Sequence, residues 1–414
     1  MNIRRKRNTG LRNGVRRNAV QIKKGVGSYG KRGLAGIVPA VGLCLCLCFS
    51  GCGKKTEPEP APNPPQPETV WEDTLTDPEP AAQDPKAEDT VFEEETHEGQ
   101  AKSFLTGEWI DQELAAQRPV SCMIGNTESA LPQFGIGQAQ VIYEAPVEGG
   151  LTRLMGIFED YQHIRQLGSV RSSRLYYAYY SMGFDAVYLH YGQASYAQGF
   201  LESGQIDDLN GMEYEVDAAV IYRDQSKKAP HNAYATGEGL ARGIALKQYD
   251  TQHAADYKGT FRFAEDGSPV KLKGASSRKA GAVQPGYLVN KPYFVYEKKD
   301  GLYYRYQYGG RQIDGADGNQ LAVKNIILQH ATVRVLDENG YLEVQTTGSG
   351  SGWYLTNGAA QEITWECTDA FSPARYYDGS GKEITLNQGK TWICVVDQSA
   401  LERVRILEDA SNLQ

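Results

Sequence analysis

The chain has few residues of the kinds that hold metals or staple small folds. Its six histidines are scattered, with no His-x-x-x-His and no Cys-x-x-Cys spacing, so no bound metal and no cofactor are expected. Of its seven cysteines, Cys44, Cys46 and Cys48 crowd one apolar run near the start, leaving Cys52, Cys122, Cys367 and Cys394. These are too few for a disulfide scaffold. Cys122 and Cys394 lie in strand-like apolar runs as inert buried thiols, and a Cys367–Cys394 bridge stays open. Ser195 has no Gly-x-Ser-x-Gly elbow around it, so a triad of Ser195, His231 and Asp224 has no motif behind it. The run Gly348-Ser349-Gly350-Ser351-Gly352-Trp353 lacks the Lys-Ser/Thr of a phosphate loop and reads as a bulge-rich turn.

Residues 1–32 contain no acid but eleven Lys or Arg, and the apolar run from Leu34 to Phe49 is too short to span a bilayer comfortably. Phe49-Ser50-Gly51-Cys52 closes that run, small residues preceding a cysteine that can carry lipid. Residues 1–51 therefore read as a lipoprotein signal peptide, with Cys52 as the lipidation site and new N-terminus. An uncleaved short anchor is the alternative and leaves the compartment unchanged. The expected location is the cell membrane, lipid-anchored on its extracytoplasmic face.

Without residues 1–51, 32 basic residues stand against 51 acidic ones, a net charge of −19. Such a polyanion is not expected to bind nucleic acid. Residues 53–100 hold 14 of the acids and nine of the 18 prolines, so residues 52–117 read as a solvated, disordered Pro/Glu-rich tether. The folded remainder is near −8.

From residue 118 to 265, short apolar runs (VSCMIG, QVIYEAPV, TRLMGIF, AVYLHY, AAVIY) alternate with helical segments (SRLYYAYYSMG, ATGEGLARGIALKQY). This predicts an α/β or α+β domain with a mixed sheet. Ser172 or Ser173 is placed to cap the first helix, on which Leu175, Tyr179 and Met182 share a face. Thr236 with Glu238 suits the start of the second. Residues 266–286 lack periodicity and read as a linker. From 287 to 405, runs such as YFVYEK, LYYRYQY, KNIILQH, TVRVLD, YLEVQT, EITWEC and TWICVV recur between turns, including DENG and DGSG. They predict a mainly β second domain with Trp353, Trp365 and Trp392 in its core.

The stretches RPVSCMIGN, VIYEAPVEGGLTRLMGIF, GSVRSSR, DAVYLHYGQAS and KKAPHNAYAT resemble the YerB-like bacterial lipoprotein family, a two-domain family of unknown function. So do Tyr304-Arg305, Asp314, Lys324-Asn325-Ile326-Ile327, Thr364-Trp365 and Gly389-Lys390-Thr391-Trp392-Ile393. The resemblance covers about Arg118 to Val396 and departs at Ser169 and at Asn126-Thr127. It implies a fold and a location but no activity, so function rests on the residues.

The chemistry concentrates around Glu148, Arg153, Arg171, Ser172, Ser173 and Arg174. A helix start with backbone N–H groups, hydroxyls and arginines is suited to an anion, because the planar guanidinium engages phosphate or carboxylate in paired bonds. The other reading pairs these arginines internally with Glu144, Glu148 or Asp185. Thr152-Arg153 and Arg171 with Arg174 are also similar in pattern to the LytR-CpsA-Psr phosphotransferases, whose arginines grip a polyprenyl pyrophosphate. That family's acid after its first arginine is missing here, where Leu154 and Met155 follow. The second cluster is Pro230-His231-Asn232, a histidine on a stiff loop that reads as a general base, a ligand donor or a structural ring bonded to a carbonyl. His190 could join it. Tyrosines crowd one helix, with Tyr176 and Tyr180 packing on one side and Tyr177 on a wet one. Two functions follow. One is a lipoprotein binding an anionic envelope ligand or a protein partner. The other is an envelope hydrolase or glycopolymer transferase using His231 beside the arginines.

Overall fold

The computed structural model describes residues 96–274 and 276–413. The leader, Cys52 and the tether as far as residue 95 lie outside the described residues. The end of the stretch expected to be tether is folded: Gln100–Lys102 pairs with Trp109–Asp111, and a short helix, Gln112–Ala116, follows. Leu105 is buried, and the Ser103 hydroxyl donates to both carboxylate oxygens of Glu159 at 2.9 Å. One apolar anchor and one buried hydrogen bond thus hold a segment whose acidic neighbours made it look solvated.

An eleven-stranded mixed sheet organises the molecule. Its first five strands are β1 (Val120–Ile124), β2 (Val141–Pro146), β3 (Thr152–Phe158), β4 (Val187–His190) and β5 (Asp208–Asn210). Then come β6 (Ser277–Lys279) and β7 (Asn325–Ala331), a separate hairpin of β8 (Val333–Val335) and β9 (Leu342–Val344), and finally β10 (Gly348–Thr356), β11 (Ala359–Cys367), β12 (Arg375–Tyr377) and β13 (Thr391–Asp397). The spatial order is β6-β11-β10-β7-β13-β2-β3-β1-β4-β5, with β12 beside β11. Strand β13 pairs parallel with β2, Thr391 facing Val141 and Cys394 facing Glu144. The mixed N-terminal part and the mainly antiparallel C-terminal part therefore share one sheet. Its central strands are buried on both faces, which is why TWICVV reads as a continuous apolar run.

One face is covered by helices α3 (Tyr214–Val220) and α4 (Gly237–Lys247) and by a six-stranded sheet that includes Ala282–Gln284, Tyr293–Glu297 and Leu302–Gln307. The other is covered by α1 (Leu175–Met182) and α2 (Ser195–Leu201). Thr236 caps α4, accepting from the Gly239 N–H at 3.0 Å. The segment 266–286 is more than a connection, since it supplies β6 and the strand Ala282–Gln284. AAVIY divides, Ala218–Val220 closing α3 before a strand at Ile221–Arg223. The glycine–serine run at 348–352 is the start of β10, because pairing with β11 satisfies its backbone.

On α1 the buried residues are Tyr176, Tyr177, Ala178, Tyr180 and Ser181, while Leu175, Tyr179 and Met182 are half-buried. Tyr177 is not wet. Its hydroxyl donates to the Ala145 carbonyl at 3.2 Å and accepts from the Ala145 N–H at 2.9 Å, and that of Tyr176 donates to the Pro146 carbonyl at 2.6 Å. Tyrosine tolerates this burial because its polar tip finds backbone partners at the strand end. Trp365 and Trp392 are fully buried, whereas Trp353 is half-buried with the Arg278 guanidinium 4.2 Å from its ring centre. Cys122, Cys367 and Cys394 are buried free thiols, so Cys367 and Cys394 form no bridge.

Between the two sheets lies a fully buried ion pair, Glu144 Oε2 to Arg305 Nη2 at 2.7 Å. Glu144 Oε1 also accepts from Thr152 Oγ1 and Asn290 Nδ2, each at 2.8 Å. Arg305 Nε donates to Gln312 Oε1 at 2.7 Å, and its guanidinium lies 4.2 Å from the Trp392 ring centre. Such a pair tolerates burial because hydrogen bonds and an aromatic face replace lost water. Arg305→Met, which strands the Glu144 charge, should cost about 3–5 kcal/mol in urea unfolding, and adding Glu144→Gln should recover much of that loss.

Candidate anion-binding site

The turn 168–174 is held by its own backbone. The Gly125 N–H donates to the Ser169 carbonyl at 3.0 Å, Arg171 N–H to Met123 at 2.9 Å, and Val170 N–H to Ala233 at 2.7 Å. On its other side, Tyr191 N–H donates to the Arg171 carbonyl at 3.0 Å and Ser173 N–H to Gly192 at 2.9 Å. His190 braces that last contact, with Nδ1 2.8 Å from the Gly192 carbonyl and Nε2 2.9 Å from Asp208. His190 is thus a buried support for the turn and does not join His231.

The turn brings three arginines within electrostatic range of one another. Arg153, from β3, donates through Nη1 to the Ser172 carbonyl. Arg171 donates through Nη1 to the Pro230 carbonyl at 2.6 Å. Arg174 makes a two-pronged pair with Glu148, Nε to Oε1 at 2.6 Å alongside Nη2 to Oε2, and donates to the Ser173 carbonyl at 2.9 Å. Glu148 is therefore Arg174's internal partner. Glu144 is committed to Arg305, and Asp185 sits 3.4 Å from Arg118 and 3.0 Å from His253. Neither neutralises the cluster.

Three guanidiniums thus share one carboxylate, and the electrostatics record it. Burial, reinforced by the charges of Arg174 and Arg171, pushes Arg153 down to about 10. Burial and Arg174 also lower Arg171. Burial opposes the charge on Arg174, yet the hydrogen bond and charge of Glu148 outweigh it and raise its pKa. Burial likewise works against the Glu148 carboxylate, and Arg174 nonetheless holds it below the usual range.

The serines act differently from the expectation. Arg174 occupies the N-cap of α1, and no side chain caps that helix. Ser173 Oγ accepts from the Tyr188 hydroxyl at 2.9 Å, and Ser172 contributes its carbonyl to Arg153. The reason is that the turn places the Ser173 hydroxyl against Tyr188 of β4. His231 lies near the cluster: burial first, then the charges of Arg171 and Lys227, lower its pKa and favour the neutral ring. Its Nε2 is 3.0 Å from Ser129 Oγ, while Nδ1 is buried without a partner. Asn232 faces away, its Oδ1 accepting from Arg223 Nη1 at 3.4 Å. Asp224 bonds Ser226 through backbone and hydroxyl, and no hydrogen bond joins Ser195, His231 and Asp224. Ser129 carried no sequence signal, being 102 residues from its histidine. Nor did Tyr341, whose ring centre is 5.6 Å from the Arg174 guanidinium.

Comparison with known proteins places this geometry in context. Residues 105–250 match the family model "Protein of unknown function (DUF3048) N-terminal domain", and residues 283–393 match its C-terminal domain. The chain is 29% identical over 303 residues to the Bacillus subtilis protein named "Putative lipoprotein YerB", an alignment covering 71% of this chain and 86% of that one. The crystal structure of Bacillus subtilis YerB superposes with a TM-score of 0.65 at 28% identity, covering 74% of this chain and 99% of the other. Among the described residues no helix is long and apolar enough to cross a membrane.

The Glu148–Arg174 pair has a pH signature. A carboxylate held below its ordinary range stabilises the fold above that range and loses the contribution as pH falls through its depressed value. Wild type should therefore outmelt Glu148→Gln near neutral pH, and the difference should vanish as thermal melts are taken to acid pH below the ordinary glutamate range.

Proposed function

Because the chain belongs to the two-domain YerB-like lipoprotein family, we propose that it is anchored by lipid at Cys52 on the extracytoplasmic face of the cell membrane and binds an anionic cell-envelope ligand there. The ligand's anionic group would lie at the cluster of Arg153, Arg171 and Arg174; an acidic patch on a protein partner would meet the same surface. The basic leader, the short apolar run and Phe49-Ser50-Gly51-Cys52 support the address. One observation carries the binding reading: three convergent guanidiniums have one carboxylate among them, and an incoming anion relieves their mutual repulsion.

The other reading, an envelope hydrolase or glycopolymer transferase with His231 as base, draws on the 3.0 Å contact between His231 Nε2 and Ser129 Oγ. A base of that kind needs an acceptor on its second nitrogen to fix the tautomer, and His231 Nδ1 has none among the described residues. Binding is therefore the better-supported function.

Inorganic pyrophosphate is the simplest probe. Calorimetric titration of the folded protein should show binding that Arg171→Gln and Arg153→Gln each weaken by about 10- to 100-fold, the worth of one charge-assisted hydrogen bond. Arg174→Gln should in addition lower the melting temperature, since it strands Glu148. Unchanged pyrophosphate affinity in Arg171→Gln and Arg153→Gln would overturn the reading.

A further inference from the structure

Arg174 also lines a groove of about 760 Å³ between α1 and the β8–β9 hairpin. Tyr179 comes from the helix side, Tyr341 from the hairpin and Tyr196 from α2. The hairpin turn places Tyr341: Asp337 Oδ1 accepts from the Asn339 N–H at 3.1 Å and the Tyr341 N–H at 3.2 Å, while Asp337 Oδ2 accepts from the Tyr196 hydroxyl at 3.3 Å. The Tyr196 and Tyr341 rings meet edge to face at 5.8 Å, and Tyr196 is 47% exposed. This is a fixed aromatic surface open to solvent.

The walls mix aliphatic, aromatic and polar side chains, with Leu175, Leu336, Leu342 and Val344 beside the tyrosines and threonines. The hydroxyls of Tyr179, Tyr341, Thr346 and Thr347 take no hydrogen-bond partner among the described residues. A hydrocarbon tail laid here would strand those hydroxyls without water. A sugar chain suits them, because each ring offers an apolar C–H face to an aromatic side chain and a rim of hydroxyls to polar groups. Charge adds a direction: Arg174, nine-tenths buried, stands at the helix end of the groove as part of the three-arginine cluster, while Arg334 and Glu343 on the hairpin wall pair with each other.

We infer that this groove binds an acidic oligosaccharide, its sugar faces on Tyr341 and Tyr179 and its acidic group toward Arg174. This rests on the anionic-ligand reading above and names the ligand class. Trigalacturonate, chitotriose and phosphatidylglycerol vesicles are the probes, titrated against the full folded protein. Trigalacturonate should bind at least ten-fold more tightly than chitotriose. Tyr341→Ala and Tyr179→Ala should each weaken it at least ten-fold, with circular dichroism confirming the fold, whereas Tyr341→Phe should retain most of the affinity. Should Tyr341→Ala fail to fold, Tyr179→Ala on the opposite wall decides. No binding of trigalacturonate, equal binding of chitotriose, unchanged affinity in the folded tyrosine variants, or capture of vesicles in its place would overturn the inference. Pyrophosphate binding that depends on Arg171, with trigalacturonate indifferent to both tyrosines, would sink the groove alone. Indifference of both ligands to Arg171→Gln would sink the reading beneath it.

Discussion

The buried ion pair of Glu144 with Arg305 is the interaction on which the architecture turns. It lies where the six-stranded sheet meets the large one, with Thr152 and Asn290 donating to Glu144 and Gln312 accepting from Arg305 in place of water. A buried pair of this kind is poor evidence for stability in itself, but it is demanding about geometry. Here the two sheets meet around it. Strand β13 completes the arrangement by joining β2, which makes one body of what the chain lays out as two domains.

The same pair decides what the arginines do. Successive side chains of a strand point to opposite faces. Glu144 and Thr152 point toward the second sheet, whereas Arg153, next along β3, points to the face covered by α1. Glu144 is thereby removed as a counter-charge, and Asp185 is spent on Arg118 and His253. Among the described residues Glu148 alone reaches the cluster, and its two-pronged pairing with Arg174 leaves Arg153 and Arg171 on backbone carbonyls. Neutral acceptors orient a guanidinium without cancelling its charge. The turn that carries these residues is itself fixed by backbone bonds from three directions, so the charges are positioned before any ligand arrives.

Much of this was legible along the chain. The apolar runs located seven of the eleven strands of the large sheet, leaving β5, β6, β10 and β12 unread, the tyrosine-rich and glycine-bearing segments located α1 and α4, and the arginine-rich motif identified the turn. Failures came where local pattern and tertiary partner disagree. The tyrosines of α1 read as a mixed face because their hydroxyls look polar, yet Tyr177 satisfies its own on Ala145. GSGSGW reads as a turn by composition and becomes a strand because β11 lies alongside it. Ser172 and Ser173 stand at the right spacing for a helix cap, yet the backbone turns their hydroxyls elsewhere.

By itself the amino-acid order determined the periodicities, hence the elements and the sheet-rich class, together with the bunching of basic side chains near residue 171. Those depend on neighbours a few positions apart. Which carboxylate meets which guanidinium was decided only by the tertiary structure, since Glu144 and Arg305 are 161 residues apart and their meeting depends on strand register and face. The groove beside Arg174 has the same origin. Tyr179 and Tyr341 stand on α1 and at the turn of the β8–β9 hairpin, far apart in the chain, and no spacing rule relates residues that only tertiary packing brings to one groove.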